Sequence, residues 1–572
     1  MTQVFIRIVY FCLLLNLISC ASETSNVKDI SPDLLLINGN IYTVDQKKPH
    51  VQAIAIKDSR ITAIGNSDRL KKMADTGTKV IDLKGKTAIP GFIEGHGHFT
   101  GLGYSLIRLN FLNTKNWQEV LDMVAEKVKT AKPGEWIEGR GWHQEKWDKQ
   151  PDQVADGYPT HQALSKLSPN NPIILRHASG HSAFANQKAM ALAGITKESA
   201  SPTGGRIIKD QSGNPSGVFE ENAMDALYEA LGEYRKTLTE EEKAAELLEA
   251  IEMAEQECLE NGITSFQDAG SSFEEINAFR KLAETDELDL RLWVMIRRPY
   301  EETKSAIKGF PWINVGNNHL TVRAIKTQVD GALGAHGAWL LKPYADKPGF
   351  FGQNTTTVEE VANMAALCKE HNLQLCVHAI GDRANREVLD IMEKAQKDNR
   401  DLRWRIEHAQ HVNESDIPRF GELGVIASMQ GIHCTSDAPF VEKRLGKHRA
   451  GKESYAWRTF IDSGAKLANG TDAPVEDVSP IKSYYASVTR KREDGMAFFP
   501  EQKMTRKEGL ASYTINNAYA GFEDTQKGSI SVGKLGDITV LSQDILTVPD
   551  EQLLATEVLY TIVGGVVKYE KK

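Results

Sequence analysis

Side chains that can bind a metal ion recur where short apolar segments end. His96 and His98 follow the apolar residues 90–93, and alternate residues of an extended chain point to the same side, so both imidazoles can face one point. Two solvated loop histidines are the simpler interpretation of such a pair taken alone. Later apolar segments, however, end in further candidates of the same chemical kind: Lys326, His378, His408 and Asp472. This recurrence predicts one shared metal centre.

The segments that carry these residues alternate with helical patterns. Strands are predicted near residues 87–92, 263–267, 290–296, 322–329, 373–378, 404–408, 425–429 and 466–470. Apolar residues at spacings of three and four predict helices between most of them, for example over 358–371 and 383–397. Eight such units predict an α/β fold of the (β/α)8 TIM-barrel type, in which all strand C-termini meet on one face. The candidate ligands would lie on that face.

Segments outside the barrel pattern predict two additional parts. β-rich runs within 33–86 form a β-meander, and similar runs return within 528–572, so we predict a small β-sandwich domain built from both ends of the sequence. The barrel domain then covers 87–527. Its interval 101–262 is too long for one crossover, which predicts a large insertion after strand 1. The insertion contains aromatic residues that could line a substrate pocket, although packing inside a lid explains them equally well: Trp136, Trp142 and Trp147.

The N-terminus has the pattern of an export signal. An apolar run at 8–15 is too short to span a bilayer comfortably, and residues 1–19 are predicted to be a signal peptide. Residues 17–20 resemble a bacterial lipobox, in which Cys20 becomes the lipidated first residue and 20–32 a tether. The alternative is a plain secretory signal with an incidental cysteine. We expect an exported, membrane-anchored lipoprotein of the outer membrane or facing the periplasm.

Composition narrows the classes of function. The chain has 572 residues, of which 41% are hydrophobic and 25% charged, as in ordinary globular proteins. A net charge of −9, without a long basic run, argues against nucleic acid as a partner. Four scattered cysteines without a CxxC pair are expected to be buried thiols: Cys258, Cys368, Cys376 and Cys434.

The order of these candidate ligands resembles that of the amidohydrolase superfamily. The segments 326–334, 378–382 and 470–475 are similar to the amidohydrolase-3 family, which includes N-substituted formamide deformylases. The resemblance extends over residues 33–568. Two positions depart from the family pattern. Glu94 stands where the family usually has Asp, and His336 where Arg is common, and the second departure affects expected substrate contacts.

The resemblance implies a divalent metal centre of one or two ions, with zinc expected. One ion would be held by His96, His98 and Asp472, and a second by His378 and His408. Lys326 matches a lysine that is carboxylated in relatives, where the carbamate bridges two ions. The alternative for this residue is an ordinary lysine paired with an acid such as Asp330. His411 and His433, which also lie near strand ends, are interpreted as loop residues or as neighbours of the ligands.

The implied reaction is hydrolysis of a C–N bond in a small amide, an N-substituted formamide or a cyclic amide. Metal-activated water attacks the carbonyl, and Asp472 passes the water proton to the leaving nitrogen. His181 would bind the substrate or the tetrahedral intermediate, although a structural role fits it nearly as well. Two alternatives stay open, a deaminase of the same fold and a surface lipoprotein that binds or senses without turnover. A homodimer is also expected.

Overall fold

The computed structural model describes residues 31–572 except 113, 145–146, 150, 152, 178–181, 203–204, 335 and 397–400. The predicted signal peptide, the lipid acceptor Cys20 and the candidate His181 lie outside the described residues. Within the described ranges, no helix is long and apolar enough to cross a membrane.

Eight parallel strands form a nearly closed barrel, which confirms the predicted fold class. Barrel strands 1 to 8 are, in order, Phe92–Gly97, Ile263–Ser271, Arg291–Ile296, Leu320–Gln328, Gln374–Ala379, Arg405–His408, Ile426–Gln430 and Leu467–Gly470. A short strand, Trp312–Asn314, pairs antiparallel with barrel strand 4. Where strands 8 and 1 meet, the His98 N–H donates to the Ala473 carbonyl at 2.7 Å. The barrel is therefore joined at its C-terminal mouth, next to the HxH segment.

Helices cover the outside of the barrel with their apolar faces and build the main core. Local start signals explain several of them: at Phe273–Glu284, for example, Ser272 and Glu275 form a reciprocal capping box. The helices that follow or connect barrel strands are Phe99–Ile107, Glu240–Glu260, Phe273–Glu284, Tyr300–Ala306, Val315–Asn318, Val358–Glu370, Asp382–Ala395, Ile417–Leu423, His433–Ser436, Ala438–Leu445, Lys447–Lys452, Trp457–Asp462, Pro480–Thr489, Arg506–Ser512 and Ile515–Ala520. A 3₁₀ turn lies at Pro500–Gln502.

Strands from both ends of the sequence pack as two sheets. The four-stranded sheet has the order Arg60–Gly65, Ala53–Lys57, Leu34–Ile37, Lys79–Asp82. One helix, Ser67–Lys71, lies in the sequence between the strands Arg60–Gly65 and Lys79–Asp82. The six-stranded sheet has the order Val566–Glu570, Val558–Val563, Ile538–Leu541, Thr87–Pro90, Asn40–Tyr42, His50–Val51, with a 3₁₀ helix at Asp550–Ala555. Apolar side chains of both sheets share one core. The domain boundaries given above stay predictions.

The predicted strand at 87–92 differs from the structure. Thr87–Pro90 pairs with Ile538–Leu541 in the six-stranded sheet, and the first barrel strand is Phe92–Gly97. Gly91 lies between the two strands. A side chain does not fit at this position, because a Cβ there would lie 2.1 Å from the Thr264 hydroxyl. The chain thus passes directly from one sheet to the other, a change that an unbroken apolar run does not reveal.

The long interval after barrel strand 1 contains a separate six-stranded sheet. Its order is Gly205–Lys209, Pro215–Glu221, Ser182–Ala185, Ile173–His177, Ile137–Trp142, Leu109–Asn110, and a small two-stranded sheet joins Val154–Ala155 to Tyr158–Pro159. The accompanying helices are Trp117–Thr130, Gln162–Leu167, Gln187–Leu192, Asn222–Met224 (3₁₀) and Asp225–Thr237. Trp142 is fully buried here and its indole donates to the Leu175 carbonyl at 2.8 Å. Of the two interpretations given for these tryptophans, Trp142 therefore fits packing inside the insertion and not the lining of a pocket.

Candidate metal centre

Both histidines of the HxH segment face Asp472 where barrel strands 1 and 8 end. His96 is fully buried, whereas His98 lies just before helix Phe99–Ile107 and is partly exposed. Asp472 Oδ1 lies 3.6 Å from His96 Nε2 and 3.3 Å from His98 Nε2. The Asp472 N–H donates to the His96 carbonyl at 2.7 Å, which holds the two segments in place. The structure thus brings three predicted ligands together at the barrel mouth.

His378 and His408 lie on adjacent barrel strands and complete the group. Their ring centroids are 4.5 Å apart, and that of His408 is 4.7 Å from that of His96. Glu407 points into the barrel, so regular strand alternation would turn His408 outward. Instead, His408 has a left-handed φ of 75°, which re-aims its side chain into the mouth. Its Nδ1 bonds to Gln430 Oε1 at 2.7 Å, which fixes the ring.

His433 also belongs to this group, although the sequence analysis gave it only a loop or neighbouring role. It lies three residues after barrel strand 7 and is 5% exposed. One ligand-type atom each of His433, His408 and Asp472 lie within 4.8 Å of one another. The only sequence signal for His433 was its position after a predicted strand end, and many loop residues share that property.

A buried ion pair below His96 was not predicted. Glu407 and Arg405 alternate on barrel strand 6 and both face the interior, with Arg405 Nε 2.7 Å from Glu407 Oε1. The other carboxylate oxygen, Oε2, contacts His96 Nδ1. Burial alone would raise the pKa of Glu407, but Arg405 and His96 hold it well below its ordinary value. A carboxylate at Nδ1 favours the tautomer that leaves His96 Nε2 as a metal ligand.

Lys326 points into the barrel from strand 4 and is 4% exposed. Burial lowers the pKa of its amine to about 8, although Glu407 opposes this shift. The acid considered as its partner, Asp330, is otherwise engaged: its oxygens accept backbone N–H groups at 2.8 to 2.9 Å from Trp339, Ile380 and Gly381. Among the described residues, no carboxylate forms an ion pair with Lys326. Its placement suits a bridging role, and its carboxylation stays a prediction.

Glu94, which departs from the family pattern, closes the barrel. Its Oε1 accepts the Thr471 N–H at 2.7 Å and the His96 N–H at 3.2 Å, so it ties barrel strand 1 to the loop after strand 8. Gly470 leaves room for this contact, because a Cβ there would lie 2.4 Å from Glu94 Oε1. Burial raises the pKa of Glu94 to about 8. Glu94 therefore fixes the backbone of His96 and of Thr471, the residue before Asp472.

Two further histidines singled out in the sequence contact residues outside the group of candidate ligands. His336, which replaces the family's common Arg, has a φ of 58° and lies 3.2 Å from Asp346 Oδ1. His411 is buried and bonds to Ser454 Oγ at 2.9 Å, apart from the group of ligand-type atoms. The catalytic role predicted for His181 falls outside the described residues and stays a prediction.

The donor atoms of the centre fit a divalent cation. In the described part of the chain, buried atoms without a hydrogen-bond partner include Nε2 of His96 and His378, and Oδ1 of Asp472. Burial lowers the pKa of His96 to about 4 and that of His378 to about 3, so both rings are neutral at pH 7. Neutral imidazole is the form that binds metals, and nitrogen with carboxylate oxygen is a donor set typical of Zn²⁺.

Sequence comparison then decides the family, because the profile of the amidohydrolase family matches residues 79–569. The chain belongs to the amidohydrolase family. This amidohydrolase is 32% identical over 570 residues to Protein LONG AFTER FAR-RED 3 of Arabidopsis thaliana, an alignment covering 95% of the chain and 93% of the relative. It is 27% identical over 558 residues to an N-substituted formamide deformylase of Arthrobacter pascens, covering 94% of the chain and 98% of the relative.

A solved structure is similar to this amidohydrolase over most of its length. A metal-dependent hydrolase from Pyrococcus horikoshii superposes with a TM-score of 0.74 at 26% identity, covering 91% of this chain and 99% of the other. The family, the fold and the candidate metal centre together identify a metal-dependent hydrolase of carbon–nitrogen bonds, as the resemblance implied.

Proposed function

We propose that this amidohydrolase hydrolyses the C–N bond of a small amide, an N-substituted formamide or a cyclic amide. The observation that supports the proposal most directly is the group of buried donor atoms at the barrel mouth that have no hydrogen-bond partner in the described part of the chain, with Asp472 Oδ1 between His96 and His98. The formamide class is suggested by the deformylase of Arthrobacter pascens, which is similar over nearly its whole length.

The residues assigned to the metal are those with suitable donors at the mouth. We assign His96, His98 and Asp472 to one site and His378 with His408 to a second, and we expect zinc. Carboxylated Lys326 would bridge them with two oxygens. A cation bound there supplies Lewis acidity, which lowers the pKa of a bound water toward about 7 and polarises a carbonyl group.

Asp472 is proposed to move the proton. Its carboxylate is anionic, because His98 and His96 lower its pKa further than burial raises it. The left-handed backbone at Asp472 (φ 60°) turns this carboxylate into the mouth, where it can accept the proton of the attacking water. It then delivers the proton to the leaving nitrogen, which would otherwise depart as an unstable amide anion.

The experiment combines metal analysis with a substrate panel. His96→Ala and His378→Ala should lose bound metal and nearly all activity, whereas His371→Ala, at the end of helix Val358–Glu370 away from the mouth, should lose neither. The panel contains N-substituted formamides, N-acylated amines and cyclic amides, and product analysis separates formate or carboxylate release from ammonia release. Full metal occupancy in both ligand variants would show that the centre is elsewhere, and ammonia alone would indicate a deaminase.

We further propose that the protein is an exported lipoprotein anchored through Cys20, and that it forms a homodimer. The anchor is supported by the lipobox-like residues 17–20 alone. Labelling with a fatty-acid analogue should mark the wild type and not Cys20→Ala, and equal labelling of both contradicts the proposal. Light scattering of the soluble part measures the oligomeric state, and a monomer mass contradicts the dimer.

A further inference from the structure

His433 is a buried residue of the mouth for which metal binding and proton transfer as proposed above leave no role. It lies after barrel strand 7, and its Nε2 is buried and has no hydrogen-bond partner among the described residues. The rings of His433 and His408 are nearly parallel, with centroids 6.2 Å apart. Burying a polar atom unpaired costs free energy, so Nε2 is expected to meet a partner other than the described residues, such as a bound substrate.

The polarity of His433 follows from its other ring nitrogen. Nδ1 lies 3.0 Å from the amide nitrogen of Gln410, which can only donate. Nδ1 therefore accepts, and the proton of the ring is on Nε2. A protonated Nε2 is a hydrogen-bond donor and has no lone pair for a metal ion. This distinguishes His433 from His96, whose Nδ1 faces the carboxylate of Glu407.

The position of the His433 ring fits a donor to the reacting oxygen. The ligand-type atoms of His433, His408 and Asp472 are no more than 4.8 Å apart, so a point central to them is at most about 2.8 Å from each, which is 4.8 Å divided by √3. An oxygen atom at that point is within hydrogen-bond reach of the His433 ring.

We propose that His433 is a catalytic residue whose Nε2–H donates a hydrogen bond to the carbonyl oxygen of the substrate. This inference rests on the proposed amide hydrolysis. The bond strengthens as that oxygen gains negative charge in the tetrahedral intermediate, so His433 acts as one donor of an oxyanion hole. Gln410 is a positioning residue, because its amide N–H keeps the ring in the donating tautomer.

The test compares His433→Phe, which removes the donor, with His433→Gln, whose amide N–H can reach a similar position. His411→Phe is the matched control, since His411 is also a buried histidine with its Nδ1 bonded to a neighbour. For each variant, metal per chain, the thermal midpoint, kcat, KM and the inhibition constant of a phosphonate analogue of the substrate are measured. The phosphonate carries the tetrahedral, negatively charged oxygens of the intermediate.

We expect His433→Phe to keep its metal and to lower kcat about 10²- to 10³-fold, the usual effect of deleting one oxyanion donor. KM should change little, and the phosphonate should bind more weakly by a similar factor. His433→Gln should recover at least a tenth of the activity, and His411→Phe should resemble the wild type. Loss of metal in His433→Phe and His433→Gln overturns the proposal in favour of a ligand role, and unchanged kcat and phosphonate affinity overturn it outright. A wild-type enzyme that hydrolyses no compound of the panel contradicts the proposed function instead.

Discussion

Replacing Glu407 by Gln tests whether the buried carboxylate below His96 supports the metal centre. Glu407→Gln keeps the shape of the side chain and removes its charge. Two consequences follow from the contacts: Arg405 loses its only anionic partner among those described, and His96 Nδ1 loses a carboxylate acceptor. We therefore expect the variant to unfold more easily and to bind metal more weakly.

The size of both effects can be worked out from the contacts. At 2.7 and 3.1 Å, the attraction between Arg405 and Glu407 is about 5 to 6 kcal/mol with an effective dielectric constant of about 20. Arg405 keeps other acceptors in the variant, namely Gln267 Oε1, the Gly95 carbonyl and Ser428 Oγ. Since breaking a buried pair costs about 3 to 5 kcal/mol, we expect about 3 kcal/mol less unfolding free energy. Losing the carboxylate behind a histidine ligand weakens metal binding about 10- to 100-fold.

The assay measures the two effects separately. Urea unfolding of the metal-stripped protein, followed by circular dichroism, reports the change in stability, and competition with a chromophoric chelator reports zinc affinity. Glu284→Gln is the control, because Glu284 pairs with Arg280 on the exposed face of helix Phe273–Glu284, where such a pair contributes less than about 1 kcal/mol. A Glu407→Gln variant that unfolds at the wild-type urea concentration and binds zinc as tightly would refute the reasoning.

Three other substitutions test separate parts of the structure. Asp472→Asn should keep most of its metal while kcat falls at least about 100-fold, and near-wild-type turnover with metal in place would move proton transfer to another residue. Gly470→Ala should lower stability by about 1 to 3 kcal/mol, because its Cβ would lie 2.4 Å from Glu94 Oε1, and an unchanged thermal midpoint would contradict that close contact. Asp537→Asn should cost about 3 kcal/mol at pH 7, because it breaks a fully buried pair in which Asp537 Oδ2 lies 2.9 Å from Arg291 Nε. Burial raises the pKa of Asp537, but Arg291 lowers it further, so that it lies below its ordinary 3.8. The stabilisation is therefore present above about pH 4 and is lost as the pH falls through the lower native pKa. An equal difference in unfolding free energy between wild type and variant at pH 7 and pH 3, measured by urea unfolding, would contradict this.

The parts of the site that the sequence predicts are those encoded by local pattern. His96, His98 and Asp472 follow apolar segments directly, and in a parallel barrel the end of a strand determines the face on which a side chain lies. For these residues, knowing the fold class was enough to place them together. The buried state of the four described cysteines was likewise predictable from their scatter and the size of the chain.

The residues that the sequence did not predict depend on backbone geometry or on distant partners. His433 reaches the mouth through the conformation of the short segment between barrel strand 7 and helix His433–Ser436. Glu407 acquires its role only when barrel strand 6 faces His96 of strand 1 across the barrel interior. His408 reverses strand alternation through a positive φ, which no spacing rule anticipates. The split between Thr87–Pro90 and Phe92–Gly97 depends on contact with Ile538–Leu541, a strand more than 400 residues away in sequence.

The six-stranded sheet shared by both ends of the sequence also sets an order for biosynthesis. Thr87–Pro90 pairs on one side with Asn40–Tyr42, and its other edge has no partner until Ile538–Leu541 has left the ribosome. An open strand edge can pair with another chain, and pairings so distant in sequence form slowly. A nascent or truncated chain that lacks residues 538–570 would therefore expose an aggregation-prone edge even if every barrel strand had already formed. The last strands to be made thus protect some of the first.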